Sequence, residues 1–372
     1  MKKTTSRGLV EGLLFIGIVV VFLGIANLVV YNAFLGILAI DSTAGAMWCG
    51  SILGLLSLSF IIAMIVGRKF YNSATRVFYY VSSVWLGLLG YLFFSSAAYG
   101  LIALIHVDFA HIVGVVLAVV SIVVGFYGIF HAKDIRVTEV SVTLPHIPSA
   151  WKGRKAIWVS DVHLGQIYGP SYARTIVRTI NSISHDIAFI GGDLFDGAEA
   201  HDIKELANIF GGIQGKLGTY YITGNHEEYG DTASFIVAVR DARIRVLLDE
   251  KIEIEGMQII GVDYSTSSDK NAFREILASM SLQSAMPSIL LKHEPKDVDV
   301  ARDAGISFQL SGHTHEGQMW PFGLIANWAY KGFGYGLNKS HDMYVYTSSG
   351  AGTWGPPIRV GTVCEIVVIT FA

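Results

Sequence analysis

Charge almost vanishes from the first third of this 372-residue chain, and that absence dictates how the backbone there can fold. Between Gly8 and His131 the only formally charged residues are Glu11, Asp41, Arg68, Lys69, Arg76 and Asp108, and no proline precedes Pro145. Four apolar stretches lie near residues 9–30, 46–67, 77–105 and 112–130. Each reaches the roughly 20 residues that cross a hydrocarbon core. With no water there to take up N–H and C=O groups, such stretches are expected to be helices. From Ala132 onward charge returns every few positions. Residues 1–134 therefore read as a four-helix transmembrane region and 135–372 as a domain outside the bilayer.

Lysine and arginine placement sets the expected orientation. Lys2, Lys3 and Arg7 precede the first span, and Arg68, Lys69 and Arg76 join the second to the third. Lys133, Arg136, Lys152, Arg154 and Lys155 follow the fourth, while the connections around Asp41 and Asp108 carry neither residue type. The positive-inside rule puts both termini in the cytoplasm, at a plasma or inner membrane. The apolar stretch from Leu9 to Ile40 is overlong, so five crossings stay open, and these would put the domain on the other side. The first stretch is too long for a cleaved signal peptide and lacks a small-residue cleavage site, so it reads as an anchor. No proline breaks a span, Glu11 lies near an end, and His106, Asp108 and His111 are expected in a loop, so no transport pathway is marked. The bilayer is thus the expected partner. Net charge is −3 with no long basic run, which speaks against nucleic acid. Cys49 and Cys364 have no ligand spacing and read as buried thiols.

Beyond residue 135 the periodicity predicts strands at Val137–Leu144, Lys155–Ser160, Asp186–Ile190, Thr219–Thr223, Ser288–Leu291, Ser307–Leu310, Met343–Tyr346 and Cys364–Thr370, and others near Val246, Ile252 and Ile259. Helical spacing falls at Tyr172–Ile183, His201–Ile213, Thr232–Ala242, Ala272–Met280 and Val298–Ala304. Strands alternating with helices, then mostly strands, give an α/β domain of layered mixed sheets flanked by helices. Trp320–Lys339 is rich in aromatics and glycine. It reads as a loop closing the core, or as an apolar lip near the bilayer that admits an acyl chain.

Five blocks carry the chemistry: Asp161-Val-His163, Gly191-Gly192-Asp193-Leu194-Phe195-Asp196, Gly224-Asn225-His226-Glu227, His293, and Gly312-His313-Thr314-His315. Any one of them is an ordinary turn. Together they gather carboxylate, amide and imidazole donors at strand ends, where open α/β sheets bind ligands. Donors of this kind suit Mn²⁺, Fe or Zn²⁺, and the lack of thiolates argues against a structural zinc site. Gly192, Gly224 and Gly312 each precede a ligand, where a tight turn or close backbone approach favours a residue without Cβ.

The order of these blocks resembles the signature D-x-H, G-D-x-x-D, G-N-H-[DE], H, G-H-x-H of the calcineurin-like metallophosphoesterase superfamily, over residues 155 to 370. The multi-span N-terminus, His313-Thr-His315-Glu-Gly-Gln318-Met-Trp-Pro-Phe322 and Gly350-Ala-Gly-Thr-Trp354-Gly look like the transmembrane proteins with this domain. The resemblance implies two divalent ions, Mn²⁺ first with Fe or Zn²⁺ as alternatives. It puts Asp161, His163, Asp193 and His315 on one ion, and Asp193, Asn225, His293 and His313 on the other, with Asp193 bridging. It implies hydrolysis of a phosphoester or pyrophosphate bond by hydroxide, with two ions clamping attacking and leaving oxygens. His226 would then protonate the leaving group, and Asp196 would orient it. Glu316 departs from the family, where glycine is common. Lys292 and Arg359 are candidates to contact phosphate, Arg359 alternatively supporting the C-terminal loop. The expected substrate is phosphorylated and lipid or lipid-linked, of which UDP-2,3-diacylglucosamine is one type. A tethered phosphodiesterase for cyclic nucleotides or other soluble substrates and a non-catalytic membrane sensor remain alternatives.

Overall fold

The structure is a computed structural model describing residues 4–105 and 107–372; Lys2, Lys3 and His106, used above, lie outside the described residues. Four helices open the chain: α1 (Thr4–Ile37), α2 (Thr43–Gly67), α3 (Ser73–Ala103) and α4 (Val107–His131). All four are long and apolar enough to cross a membrane. The overlong first stretch is one unbroken helix, so it offers one candidate span and not two. Asp108 and His111, expected in a loop, belong to the first turns of α4. No glycine or proline separates them from the apolar run, so the helix continues to its polar end. Leu23, Ala26, Val30, Leu53, Leu89 and Leu92 pack between α1, α2 and α3. At the same depth Asn27 Nδ2 donates to Ser57 Oγ at 2.8 Å, and Trp85 Nε1 donates to it at 3.2 Å. Such interhelical bonds add about 0.6 kcal/mol each to helix association in a bilayer.

The chain forms two compact units, and they divide it differently from a single cut at residue 135. The second comprises Gly128–Ala372 together with Gly67–Arg76, which is the turn between α2 and α3 and the first residues of α3. That turn is held by hydrogen bonds within the second unit. Gln166 Nε2 donates to the carbonyls of Gly67 (2.7 Å) and Phe70 (3.0 Å), and Arg76 Nε donates to Gln166 O at 3.0 Å. Arg68 Nε meets Glu199 Oε1 at 2.8 Å, and Tyr71 stacks on His201.

Two six-stranded sheets make up the rest of this unit. The first orders its strands β1-β12-β2-β3-β4-β5, from β1 (Ile135–Val142), β2 (Lys155–Val159), β3 (Ile187–Ile190), β4 (Thr219–Tyr221), β5 (Arg245–Val246) and β12 (Cys364–Phe371). The second orders them β10-β11-β9-β8-β7-β6, from β6 (Glu250–Ile254), β7 (Met257–Gly261), β8 (Ser288–Leu291), β9 (Phe308–Ser311), β10 (Gly336–Ser340) and β11 (Met343–Thr347). The strands β2, β3 and β4 run parallel, as do β8 and β9, so their carboxyl ends share one direction within each sheet.

Alternation along each strand builds the layers. Ala156 and Trp158 of β2 and Phe189 of β3 face Ile289, Leu291, Phe308 and Leu310 of the second sheet, forming a core between the sheets. Ile157 and Val159 point the other way, onto α5 (Pro170–Ser182), α6 (Ile203–Phe210) and α8 (Thr232–Asp241). The outer face of the second sheet packs Ile260, Leu290 and Val345 against α10 (Lys270–Ser279) and α11 (Val298–Asp303). Two short helices, α7 (Asn225–Glu228) and α9 (Tyr264–Ser267), follow β4 and β7. The segment Trp320–Lys339, expected as a loop or lip, contains α12 (Phe322–Ala329) and part of β10. Glycine-rich flanks hid both elements from a reading of periodicity. Cys364 is buried, whereas Cys49 is only half-buried.

Phe189 is fully buried between the sheets and contacts Tyr220. Replacing it with alanine removes a large apolar group from a site that cannot collapse. Phe189→Ala is expected to cost about 3–5 kcal/mol in denaturant unfolding of the solubilised protein. A loss below about 1 kcal/mol would mean that the two sheets do not depend on this contact.

Candidate metal centre

Each of the seven sequence-derived ligands sits just past the end of β2, β3, β4, β8 or β9, so the rims of both sheets supply one cluster. Asp161, His163 and His315 offer ligand atoms within 4.8 Å of one another, and Asp193, His293 and His313 do the same. Asp193 Oδ2 joins the trios, lying 3.2 Å from His293 Nε2 and 3.9 Å from His163 Nε2. Asn225 Oδ1 completes the second group, 2.7 Å from His313 Nδ1 and 3.1 Å from His293 Nε2.

The local backbone is unusual in a consistent way. Asp161, His163, Asp193, His313 and His315 all adopt positive φ, between 49° and 71°. Non-glycine residues adopt this region rarely, and such strain collects at functional sites that the surrounding fold over-determines. Glycine makes room beside them. A Cβ on Gly312 would strike Asp161 Oδ2, and one on Gly224 would strike Asp193 Oδ1. Glu316 also has positive φ, at 53°, a backbone conformation that favours glycine. Burial and then Glu365 raise its carboxyl to about 7.

The donor set fits a pair of cations. His163 Nε2 and His315 Nε2 approach to 3.0 Å while buried, an arrangement that a shared cation or proton must reconcile. Asp161 Oδ2 is buried with no hydrogen-bond partner, so its lone pairs are available. Burial, His163 and Arg359 hold His315 well below the usual imidazole range, leaving it neutral as a ligand must be. Burial opposes protonation of His293 too, but Asp193 and Asp161 raise it to about 10, so a cation there displaces a proton.

Behind the ligands runs a layer of supporting groups. His293 Nδ1 contacts Gly191 O at 2.8 Å. Asp196 Oδ1 lies 3.4 Å from His163 Nδ1 and 3.2 Å from His226 Nδ1, so one carboxylate orients both a ligand and its neighbour. Burial pushes the Asp196 carboxyl up, yet the adjacent imidazoles of His163 and His226 bring it far below the carboxylate range. Burial lowers His226, and Asp193 and Asp196 more than offset this, raising it to about 9.

Lys292 and Arg359 do not face a substrate. Lys292 is buried over the Phe273 ring and donates to Glu294 O at 2.7 Å. Arg359 is buried and donates to Ser349 O (2.5 Å) and Gly352 O (2.7 Å), supporting the loop against His315. The ammonium and the guanidinium both find backbone carbonyls as local partners there, which a sequence does not disclose.

Glu227 is the residue to which the sequence reading gives no role. Its buried carboxylate accepts from the N–H groups of Asp193 (2.9 Å), Gly224 (2.7 Å) and Phe195 (3.2 Å), stapling the β3 and β4 loops together. The signal was present as an acid three residues past Gly224, the spacing of a capping box. Glu227→Gln replaces one acceptor oxygen with a donor that opposes these N–H groups. Removing such support behind metal ligands lowers affinity about 10–100-fold, the loss expected for Mn²⁺ in titration calorimetry with circular dichroism unchanged. Unaltered affinity would rule out the stapling role.

Residues 155–317 match the calcineurin-like phosphoesterase family, a stretch that includes every ligand named above. An uncharacterized metallophosphoesterase of Campylobacter jejuni is 30% identical over 239 residues, 63% of this chain and 63% of the relative. A transmembrane protein with metallophosphoesterase domain from Bos taurus is 30% identical, covering 66% of this chain and 60% of that protein. An uncharacterized metallophosphoesterase of Aquifex aeolicus is 27% identical over 68% of this chain and 97% of its own length. The chain thus spans less than two thirds of the first two relatives. The stretch that matches the calcineurin-like phosphoesterase family thus follows four apolar helices.

Proposed function

We propose that this protein is a membrane-anchored phosphoesterase that hydrolyses a phosphoester or pyrophosphate bond of a lipid or lipid-linked substrate. The observation that carries the reaction is the pair of ligand trios with Asp193 Oδ2 between His293 and His163, and His226 and Asp196 beside them. When bound, two divalent ions supply Lewis acidity at the phosphate and lower the pKa of a water. The residues that would hold them are Asp161, His163, Asp193 and His315 on one side and Asp193, Asn225, His293 and His313 on the other.

The protein's own groups do the remainder. Nδ1 of His226 faces Asp196 at 3.2 Å, which leaves Nε2 to deliver a proton to a departing alkoxide. Asp196 fixes the ring, and Asp193 Oδ1 accepts from the His226 backbone N–H at 2.8 Å, fixing its position. Tyr229 and Trp354 bracket the imidazole, with ring centroids 5.2 Å and 6.2 Å away, and limit the water around it.

We place the domain on the cytoplasmic face of a plasma or inner membrane. Four crossings and the clustering of Arg68, Lys69 and Arg76 with the catalytic unit support that side, since this basic turn and the domain then share one face of the bilayer. Membrane attachment, with the half-exposed Trp354 beside His226, supports a substrate that carries acyl chains.

His226→Ala is expected to slow an alkyl ester by about 10²–10⁴-fold while sparing an activated aryl diester, which needs no proton at its leaving group. Equal losses on both would remove His226 from that role. For the substrate, Mn²⁺-loaded protein in detergent is assayed on phosphatidic acid, UDP-2,3-diacylglucosamine, a cyclic nucleotide and an aryl diester, with Asp193→Ala as control. Turnover is expected to be fastest on an acylated phosphate and lost in the control. Turnover of the cyclic nucleotide alone would replace the lipid reading with that of a tethered soluble phosphodiesterase.

A further inference from the structure

Helix α12 leaves its apolar face without cover. None of its eight residues is buried, and Leu324, Ile325 and Trp328 are 68%, 59% and 82% exposed. Trp320, four residues before Leu324, is 63% exposed. Spacings of three and four residues put Leu324, Ile325 and Trp328 along one side of the helix, and Trp320 lies two residues before its start. No charge occurs within Phe322–Ala329, and the exposed Lys331 follows. Soluble surfaces scatter single apolar residues, but a contiguous patch with two tryptophans marks an interaction site.

The fold says what covers it. The last turn of the fourth span belongs to the catalytic unit, beginning at Gly128. Arg359 N donates to Gly128 O at 3.0 Å, and the Cα of Gly128 packs so closely on Ile358 and Val360 that a Cβ there would meet both. Val360 O in turn accepts the Trp320 N–H at 2.8 Å, and Met319 bridges to Val360. Trp320 is therefore one backbone hydrogen bond from the segment that touches the end of a span. The apolar window of that span ends at His131, where Phe130 is 70% exposed and Lys133 lies over its ring. That is the depth of a membrane–water interface, where tryptophan accumulates.

We infer that α12 lies in the interfacial layer of the bilayer that anchors the chain, with Trp320, Leu324, Ile325 and Trp328 inserted among lipid headgroups and upper acyl carbons. A short uncharged helix with aromatic and aliphatic residues on one face, followed by a lysine at headgroup level, has the chemistry of such elements. The same segment reaches the metal centre. His315 is five residues before Trp320, and Gln318 between them exchanges hydrogen bonds with Trp354, donating to its carbonyl at 3.0 Å and accepting its N–H at 2.8 Å. Trp354 stands beside His226, so the inserted face continues towards the general acid. A phosphate still held in the membrane plane meets the ligands without its acyl chains crossing water. The inference rests on the membrane reading above and not on any one substrate.

The test uses the whole protein in phosphatidylcholine–phosphatidylglycerol vesicles and reads tryptophan emission with two quenchers, brominated lipid and aqueous iodide. The share due to α12 is the difference between wild type and the double variant Trp320→Phe/Trp328→Phe. That difference component is expected to be blue-shifted, quenched by brominated lipid and shielded from iodide. A red-shifted component quenched by iodide and spared by brominated lipid would overturn the proposal. Trp328→Phe alone gives the same comparison if the double variant folds poorly, with aryl-diester turnover as the check on folding. Because the readout involves no lipid turnover, a wrong substrate class and a solvent-facing α12 give different results.

Discussion

The site depends on how one buried residue, Asp193, is held. Its carbonyl accepts the N–H groups of Val162 (2.9 Å) and His163 (3.0 Å), and its own N–H is taken by Glu227. One carboxylate oxygen is fixed by the His226 backbone, and the other faces both ligand trios. Three of the five blocks are therefore registered against a single residue before any cation is considered. The positive φ of Asp193 and of four other ligands is tolerable because so many partners constrain the loops. Taking Asp193 out of water is unfavourable, and His293, His226 and His163 offset this enough to hold it ionised.

Much of this was legible in the sequence because the site is made of strand ends. A strand predicted over Lys155–Ser160 forecasts where Asp161 emerges, and the forecast needs no tertiary information. The same holds for Asp193 after β3 and His293 after β8. The span count was legible because hydrophobic length is a local property. Less local features stayed hidden. The role of Glu227 depends on bringing two loops together, and the burial of Lys292 and Arg359 depends on carbonyls supplied from afar. Asp196 was assigned to His226, yet its approach to His163 as well becomes visible only when the β2 and β3 loops are adjacent. Helix α12 was missed for a different reason: its glycine and its lack of charged residues weaken the periodic contrast on which such a reading relies.

The domain boundary shows the same limit. Composition changes at about residue 132, but folding groups residues by contact. Gly67–Arg76 reads as a loop between two spans, and its charges serve the positive-inside rule. In the folded chain Arg68 instead pairs with Glu199, three residues past Asp196, while Gln166 takes up the backbone of the turn. A short basic connection that composition presents only as a loop thus has a structural role that its composition does not disclose.

That grouping has a kinetic consequence. Gly67–Arg76 is parted from the rest of its unit by Val77–Tyr127, so its bonds to Gln166 and Glu199 join residues far apart in sequence. Contacts of that kind are slow to form, because the entropy of closing a long loop is lost before any of them is gained.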